Sequence, residues 1–334
     1  MENSMNFSEY PSILQEFISY KSVIQGCSPK TVEEYALDIK LFFKFFIASK
    51  CGVSTDGKDF DEISIDSVDL DLIKTVTTSD IYAFLMYATN TRKNQNASKA
   101  RKLSAIKALF KYLVVKRRYF DENPAINIES PKQRKSLPKY LSLEECISLL
   151  DTVKNDKESK YVIRDYAIIT LFLNCGMRLS ELVGIDLRDI DREFRSLRVI
   201  GKGNKERIIY LNEACQSALQ AYVAERSLLA ATTAIHTDAL FLSRLEKRIS
   251  VKTVQWMVYK YLDMAGLESK RYSVHKLRHT AATLMYQSGK VDVRVLKDIL
   301  GHEQLNTTQI YTHVSNESME KAMSQNPLAQ IDKK

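Results

Sequence analysis

The sequence predicts a mainly α-helical protein with one small antiparallel β-sheet, arranged as two domains. Three observations predict it. Apolar residues recur at helical spacing in both halves of the 334-residue chain, as in Tyr35, Ile39, Phe42 and Phe46. Ten Gly and six Pro are few for this length, which argues against an all-β or disordered chain. A single pair of β-branched runs, in RSLRVIGKGNKERIIYL, flanks a Gly-Lys-Gly-Asn tip and reads as a β-hairpin.

In the first half, Ser28 caps a helix that has Pro29 at its first position. The acidic stretch CGVSTDGKDFDEISIDSVDLD that follows reads as a loop or insertion, and Ser79 and Asp80 cap the next helix, IYAFLMYATN. In NASKARKLSAIKALFKYLVVKRR, Ile106, Phe110 and Leu113 form an apolar face, while Lys99, Arg101, Lys102 and Lys107 crowd the rest. Such a helix suits a polyanion, and a plain solvated face fits it equally well. The segment NIESPKQRKSLPKYLS, with two prolines, four Lys/Arg and no periodicity, marks a linker. The expected division is a helical domain over 1–132, a basic linker over 133–140 and a second domain over 141–334.

The second half opens on a capping box, Ser142 with Glu145. Helices are expected at about 143–153, 160–175, 213–228 and 251–265, the last between Ser250 and Gly266. Helices follow in VHKLRHTAATLMYQSG and VDVRVLKDILG, the second packed through Val291, Val295 and Ile299. The net charge of +8 favours a nucleic-acid partner over an acidic membrane surface. No apolar run approaches the ~18 residues of a membrane span. Five cysteines without a CxxC pair fit free thiols in a reducing cytoplasm.

Four short segments carry chemistry. In SVHKLRHT, His275, Arg278 and His279 share a helix face, and Leu277, Ala281, Leu284 and Met285 make an apolar stripe on another. Zinc is disfavoured there, because Lys276 stands where the HExxH pattern needs Glu. In NCGMRLSELVG a helix ends at Gly176 and Arg178 follows in the turn, with Glu181 placed to orient it; an ordinary surface ion pair is the alternative. In GKGNK, Lys202 rides the hairpin tip, either as a proton donor or as a polar turn residue. In ILGHEQLNTTQIYTHV, His302 follows Gly301 and Tyr311 sits among hydroxyls, amides and imidazoles. Two arginines and two histidines suit the non-bridging oxygens of a phosphodiester, a lysine suits a leaving alkoxide, and a phenol is a nucleophile for phosphorus. Only on the order of one phenol in a thousand is ionised at neutral pH, so it needs a base and a cationic pocket.

On CGMRLSELVGI, VIGKGNKERIIYL, HKLRHTAAT and ILGHEQLNTTQIYTHV, the chain resembles a tyrosine recombinase of the phage-integrase family, and within it the Xer-like members. The resemblance implies a helical, SAM-like core-binding domain followed by a mixed α/β catalytic domain; the acidic insertion over 52–71 departs from compact versions of the first. It implies that Arg178, Arg278 and His302 hold the scissile phosphate, Lys202 is general acid, His275 assists Tyr311, Tyr311 is the nucleophile and Glu181 supports the site. It implies double-stranded DNA as substrate, no metal or other cofactor, and a homotetramer on two duplexes or a heterotetramer with a related recombinase. It also implies a C-terminal tail docked on a neighbouring protomer through Met319, Met323, Leu328 and Ile331; a frayed terminus on its own domain is the alternative. Xer-like resolution of chromosome or plasmid dimers is the expected role, ahead of integration or excision of a mobile element, a type IB topoisomerase and a non-cutting DNA-binding protein.

Overall fold

The computed structural model describes residues 7–131, 139–201, 205–232, 237–270, 272–289 and 291–301. Contacts divide the chain into two units, Met1–Lys135 and Ser136–Lys334.

The first unit is helical: α1 (Ser12–Ser19), α2 (Pro29–Cys51), α3 (Lys58–Glu62), α4 (Leu70–Lys74), α5 (Thr78–Asn90) and α6 (Asn96–Lys111). The Ser28 hydroxyl accepts the Thr31 N–H at 3.3 Å, and α2 ends on left-handed Gly52. Helix α2 packs against α5 and α6 through Phe42, Phe43 and Phe46, with Phe84 edge-on to Phe42. Helix α1 is not among the expected elements, although its buried Ile13, Leu14, Phe17 and Ile18 recur at helical spacing. The acidic stretch is more ordered than a loop. It contains α3 and α4, and Phe60, Ile65, Val68 and Ile73 anchor it in the core while the carboxylates stay outside. The cap of α5 is Thr77 rather than Ser79, because Asp80 at the third helical position reaches back to the Thr77 N–H at 2.8 Å.

The second unit begins with α7 (Leu143–Lys154), closed by the expected Ser142–Glu145 box. Helix α8 (Val162–Cys175) is buried along most of its length and packs against α7, α10 (Glu213–Thr232) and α12 (Val274–Gln287). The short α9 (Leu179–Gly184) leads to β1 (Ser196–Ile200) and β2 (Glu206–Tyr210). These strands pair antiparallel, Leu197 opposite Ile209 and Val199 opposite Arg207, so Arg207 lies on the core side. The Gly201 N–H donates to the Lys205 carbonyl at 2.8 Å and closes the ladder beneath the tip. Helix α11 (Val251–Met264) is capped by Ser250, whose hydroxyl accepts the Thr253 N–H at 3.0 Å.

Helix α13 (Val293–Leu300) packs on α12 through Leu296 and Leu300, not through Val295, which is exposed. The helix starts at Val293 with Asp292 as its cap; Val291 packs against the same cluster as expected, and Val295 lies off the Leu296–Leu300 stripe. No described helix is long and apolar enough to cross a membrane.

Candidate active site

The site is built around the C-terminal end of α13. The last carbonyls of a helix have no partner within it, and the negative end of the helix dipole lies there. Three consecutive carbonyls each receive one guanidinium. Arg207 Nη1 donates to the Ile299 oxygen, Arg278 Nη2 to that of Leu300 at 2.8 Å, and Arg178 Nη2 to that of Gly301 at 3.0 Å. These arginines come from β2, α12 and the junction of α8 with α9, so one helix end gathers segments far apart in sequence.

Two glycines make the approach possible. Gly176 ends α8 in the left-handed region, and its carbonyl accepts Arg278 Nη1 at 2.5 Å. A Cβ there would lie 2.9 Å from Leu300 Cδ2. Gly301 ends α13, also left-handed, and a Cβ would lie 2.9 Å from Arg207 Cδ. Glycine therefore meets both a backbone and a steric demand at each corner.

Glu181 organises the arginines. Its side chain is fully buried and accepts the Arg178 backbone N–H at 2.7 Å, Arg178 Nη1 at 2.7 Å and Arg207 Nη2 at 2.8 Å. Burial opposes its ionisation. The Arg178 N–H and the two guanidiniums outweigh burial and hold the carboxyl below its ordinary range. The pair is thus no ordinary surface contact. Arg178 keeps 29% of its side-chain surface open, whereas Arg278 is buried. The hairpin runs alongside: a Cβ on Gly201 would lie 3.3 Å from Glu181 Oε1 and 4.0 Å from Arg178 Nη1.

On α12, His275 is exposed, Arg278 is buried and His279 is half-buried. Burial, followed by the charges of Lys276, His275 and Arg278, pushes His279 down to about 4, so it is neutral at pH 7. Ser273 stands at the N-cap of α12 but makes no side-chain cap bond. Lys202, His302 and Tyr311, and the tail residues Met319, Met323, Leu328 and Ile331, lie outside the described residues. Their described neighbours Gly201 and Gly301 both border the arginine cluster.

The first unit corrects part of the expected basic face. Lys102 is buried and pairs with Asp38 at 2.9 Å. Arg101 pairs with Asp38 at 2.7 Å and with Glu34. Lys102 is thus turned toward α2 and closed off from a polyanion, whereas Arg101 keeps 38% of its side-chain surface exposed beside the same carboxylate. Lys99 and Lys107 are half-buried and Lys111 is exposed.

Residues 139–318 match the family model described as the phage integrase family. The chain belongs to the phage integrase family. It is 48% identical to the tyrosine recombinase XerC of Caldanaerobacter subterraneus subsp. tengcongensis, over 98% of this chain and 90% of that one. It is 33% identical to the tyrosine recombinase XerD of Proteus mirabilis, over 92% and 90%. Among solved structures it resembles the XerH site-specific recombinase bound to palindromic difH substrate in a post-cleavage complex. The TM-score there is 0.71, with 25% identity and coverage of 93% of this chain and 83% of that one. A lambda integrase tetramer bound to a Holliday junction shares the fold at a TM-score of 0.61 and 16% identity, covering 88% of this chain and 77% of that one. The chain is therefore an Xer-like, site-specific tyrosine recombinase.

The arginine cluster of this recombinase also contains Arg207, which was not among the expected site residues. The signal was present in the strand period. In ERIIY, Arg207 alternates in phase with Ile209, which is buried, so a charge stood on the face that enters the core. Inward-facing charges on a strand need a partner, and the partner is Glu181.

Proposed function

We propose that this recombinase cuts and rejoins double-stranded DNA through a 3′-phosphotyrosyl link on Tyr311. Arg178, Arg278 and His302 hold the non-bridging oxygens of the scissile phosphate and stabilise the charge that builds on them. His275 takes the phenolic proton as Tyr311 attacks phosphorus. The bond from phosphorus to the 5′-oxygen breaks, and Lys202 gives that oxygen a proton. A 5′-hydroxyl from the partner duplex then attacks the phosphotyrosine, releases Tyr311 and seals the exchanged strand. One phosphodiester is lost and one is made, so the reaction balances without a nucleotide or a metal.

The observation that carries this reading is the placement of the Arg178 and Arg278 guanidiniums on adjacent carbonyls, Gly301 and Leu300, one and two residues before His302. Two fixed cations converge there, and Gly201 and Gly301, which precede Lys202 and His302 in the chain, both lie beside them. In this reading residues 141–334 form the catalytic domain, 1–132 a core-binding domain and 133–140 a basic linker across the DNA. Similarity to XerC and XerD relatives supports the resolution of chromosome or plasmid dimers in the cytoplasm. The active form is a tetramer on two duplexes, of this chain alone or with a related recombinase.

The test is a nicked suicide duplex carrying dimer-resolution sites from the host, incubated with the protein in EDTA and without ATP. A covalent adduct mapped by peptide mass to Tyr311 supports the chemistry, and Tyr311→Phe abolishes it while leaving DNA affinity intact. An adduct on another residue, or one that persists in Tyr311→Phe, overturns it.

A further inference from the structure

Arg207 joins three parts of the site that the mechanism needs in register. It stands on β2, the strand that returns from the Lys202 hairpin. One arm of its guanidinium holds Glu181 Oε2 at 2.8 Å, and the other holds the Ile299 carbonyl at the end of α13. Gly301, two residues further on, has its Cα side pressed against the Arg207 stem. Glu181 in turn grips Arg178 through both carboxylate oxygens.

Packing strength alone does not account for this arrangement. Arg207 Nε is buried without a hydrogen-bond partner among the described residues, an unfavourable feature in a purely structural clamp. A planar guanidinium, in contrast, fixes two acceptors at a set angle and distance, which one ammonium cannot do. We infer that Arg207 is a positioning residue for strand cleavage: by bridging Glu181 and the end of α13, it sets where the Arg178 guanidinium meets the scissile phosphate. This inference rests on the reading of Arg178 as a phosphate ligand.

The experiment compares single-turnover cleavage of two suicide duplexes at saturating protein. One carries an ordinary scissile phosphodiester, the other a methylphosphonate whose neutral methyl replaces a non-bridging oxygen. Arg207→Met should slow phosphodiester cleavage by roughly tenfold to a hundredfold, with the DNA dissociation constant changed by less than about threefold. On the methylphosphonate, which presents no anionic charge for Arg178 to neutralise, the slowing should shrink to less than about threefold. Arg207→Lys should restore part of the phosphodiester rate, since it keeps the charge but reaches one partner only. A general loss of packing slows both substrates alike, so equal slowing, or none, overturns the inference. Should Arg207→Met fail to fold by circular dichroism, Arg207→Lys against wild type makes the same two-substrate comparison. Arg178→Met separates the two layers. If it slows both substrates equally, the reading of Arg178 falls and the inference with it. If Arg178→Met discriminates between them and Arg207→Met does not, the inference alone falls.

Discussion

Asp38 in the first unit and Glu181 in the second are both buried carboxylates, and each contacts two cations. Asp38 meets Lys102 at 2.9 Å and Arg101 at 2.7 Å; Glu181 meets Arg178 at 2.7 Å and Arg207 at 2.8 Å. Burial nevertheless wins at Asp38 and holds its carboxyl above the ordinary range, with Glu34 adding a like charge against the pull of Lys102 and Arg101. At Glu181 burial loses, because a backbone N–H joins the two guanidiniums. The counts of cations are equal, so hydrogen bonds to the charged form decide the outcome. The fate of the cations differs too. Asp38 and Glu34 together balance Lys102 and Arg101, whereas Glu181 alone stands against Arg178 and Arg207, with Arg278 on the adjacent carbonyl and Arg178 open beside Gly301. A cluster whose cations are matched by carboxylates supports a fold, and one with cations in excess can receive a phosphate.

The largest effect should come from the Asp38 cluster. Asp38→Ala leaves Lys102 buried without its counter-ion and should destabilise the first unit by about 3–5 kcal/mol. Denaturant unfolding should show it, while cleavage per folded molecule stays near wild type. A selective loss of cleavage with stability unchanged would erase the distinction between the clusters. Next, Arg178→Ala should slow cleavage by roughly a hundredfold to a thousandfold while DNA binding persists. Binding lost in parallel with rate would place Arg178 in general DNA affinity instead. A smaller effect separates the lysines of α6. Lys99→Ala should lower the salt dependence of DNA binding by about one counter-ion, and Lys102→Met, adjusted for stability, should leave the slope alone. A reduced slope in Lys102→Met would return that residue to the DNA-facing set.

The two clusters were unequally legible in sequence. Arg178 and Glu181 announced themselves through a helix stop, a turn and a three-residue spacing, all local signals. The pairing of Asp38 with Lys102 joins α2 to α6 across 64 positions, and no local period marks it. Lys102 therefore read as one more surface charge on a basic helix. Arg207 fell between these cases: its inward phase was visible in β2, but its partners at 181 and 299 belong to other elements. Caps were legible to within two residues, as at Ser28 and Ser142, and missed where an alternative hydroxyl lay close by, as Thr77 does to Ser79. On α13 Val291 packs as expected, but the fully buried pair is Leu296 and Leu300 rather than Val295, because two apolar i, i+4 pairs lie one residue apart and helical period alone does not choose between them.

The smallest effect bears most directly on the comparison, because it reads the sign of each carboxylate. Glu181 titrates lower in the folded protein than its ordinary 4.5. Below that value the unfolded chain takes up a proton that the native site refuses, so its stabilisation is complete above about pH 5 and fades as pH falls through the native pKa. Asp38 titrates higher in the folded protein than its ordinary 3.8. As pH rises from there, the unfolded chain releases a proton that the native site retains, and the stability Asp38 contributes declines until the native group also ionises. Glu181→Gln and Asp38→Asn remove each titration with little change of shape. On raising the pH from 3 to 7, the stability gap between wild type and Glu181→Gln should widen, and that between wild type and Asp38→Asn should narrow. Each change should appear in the thermal transition of its own unit. Hydrogen exchange of amides in α9 and in α2 assigns each transition to its unit. Gaps that move in the same direction would mean that the two carboxylates do not differ in which force governs them. The contrast between the two clusters would then rest on their balance of charges alone.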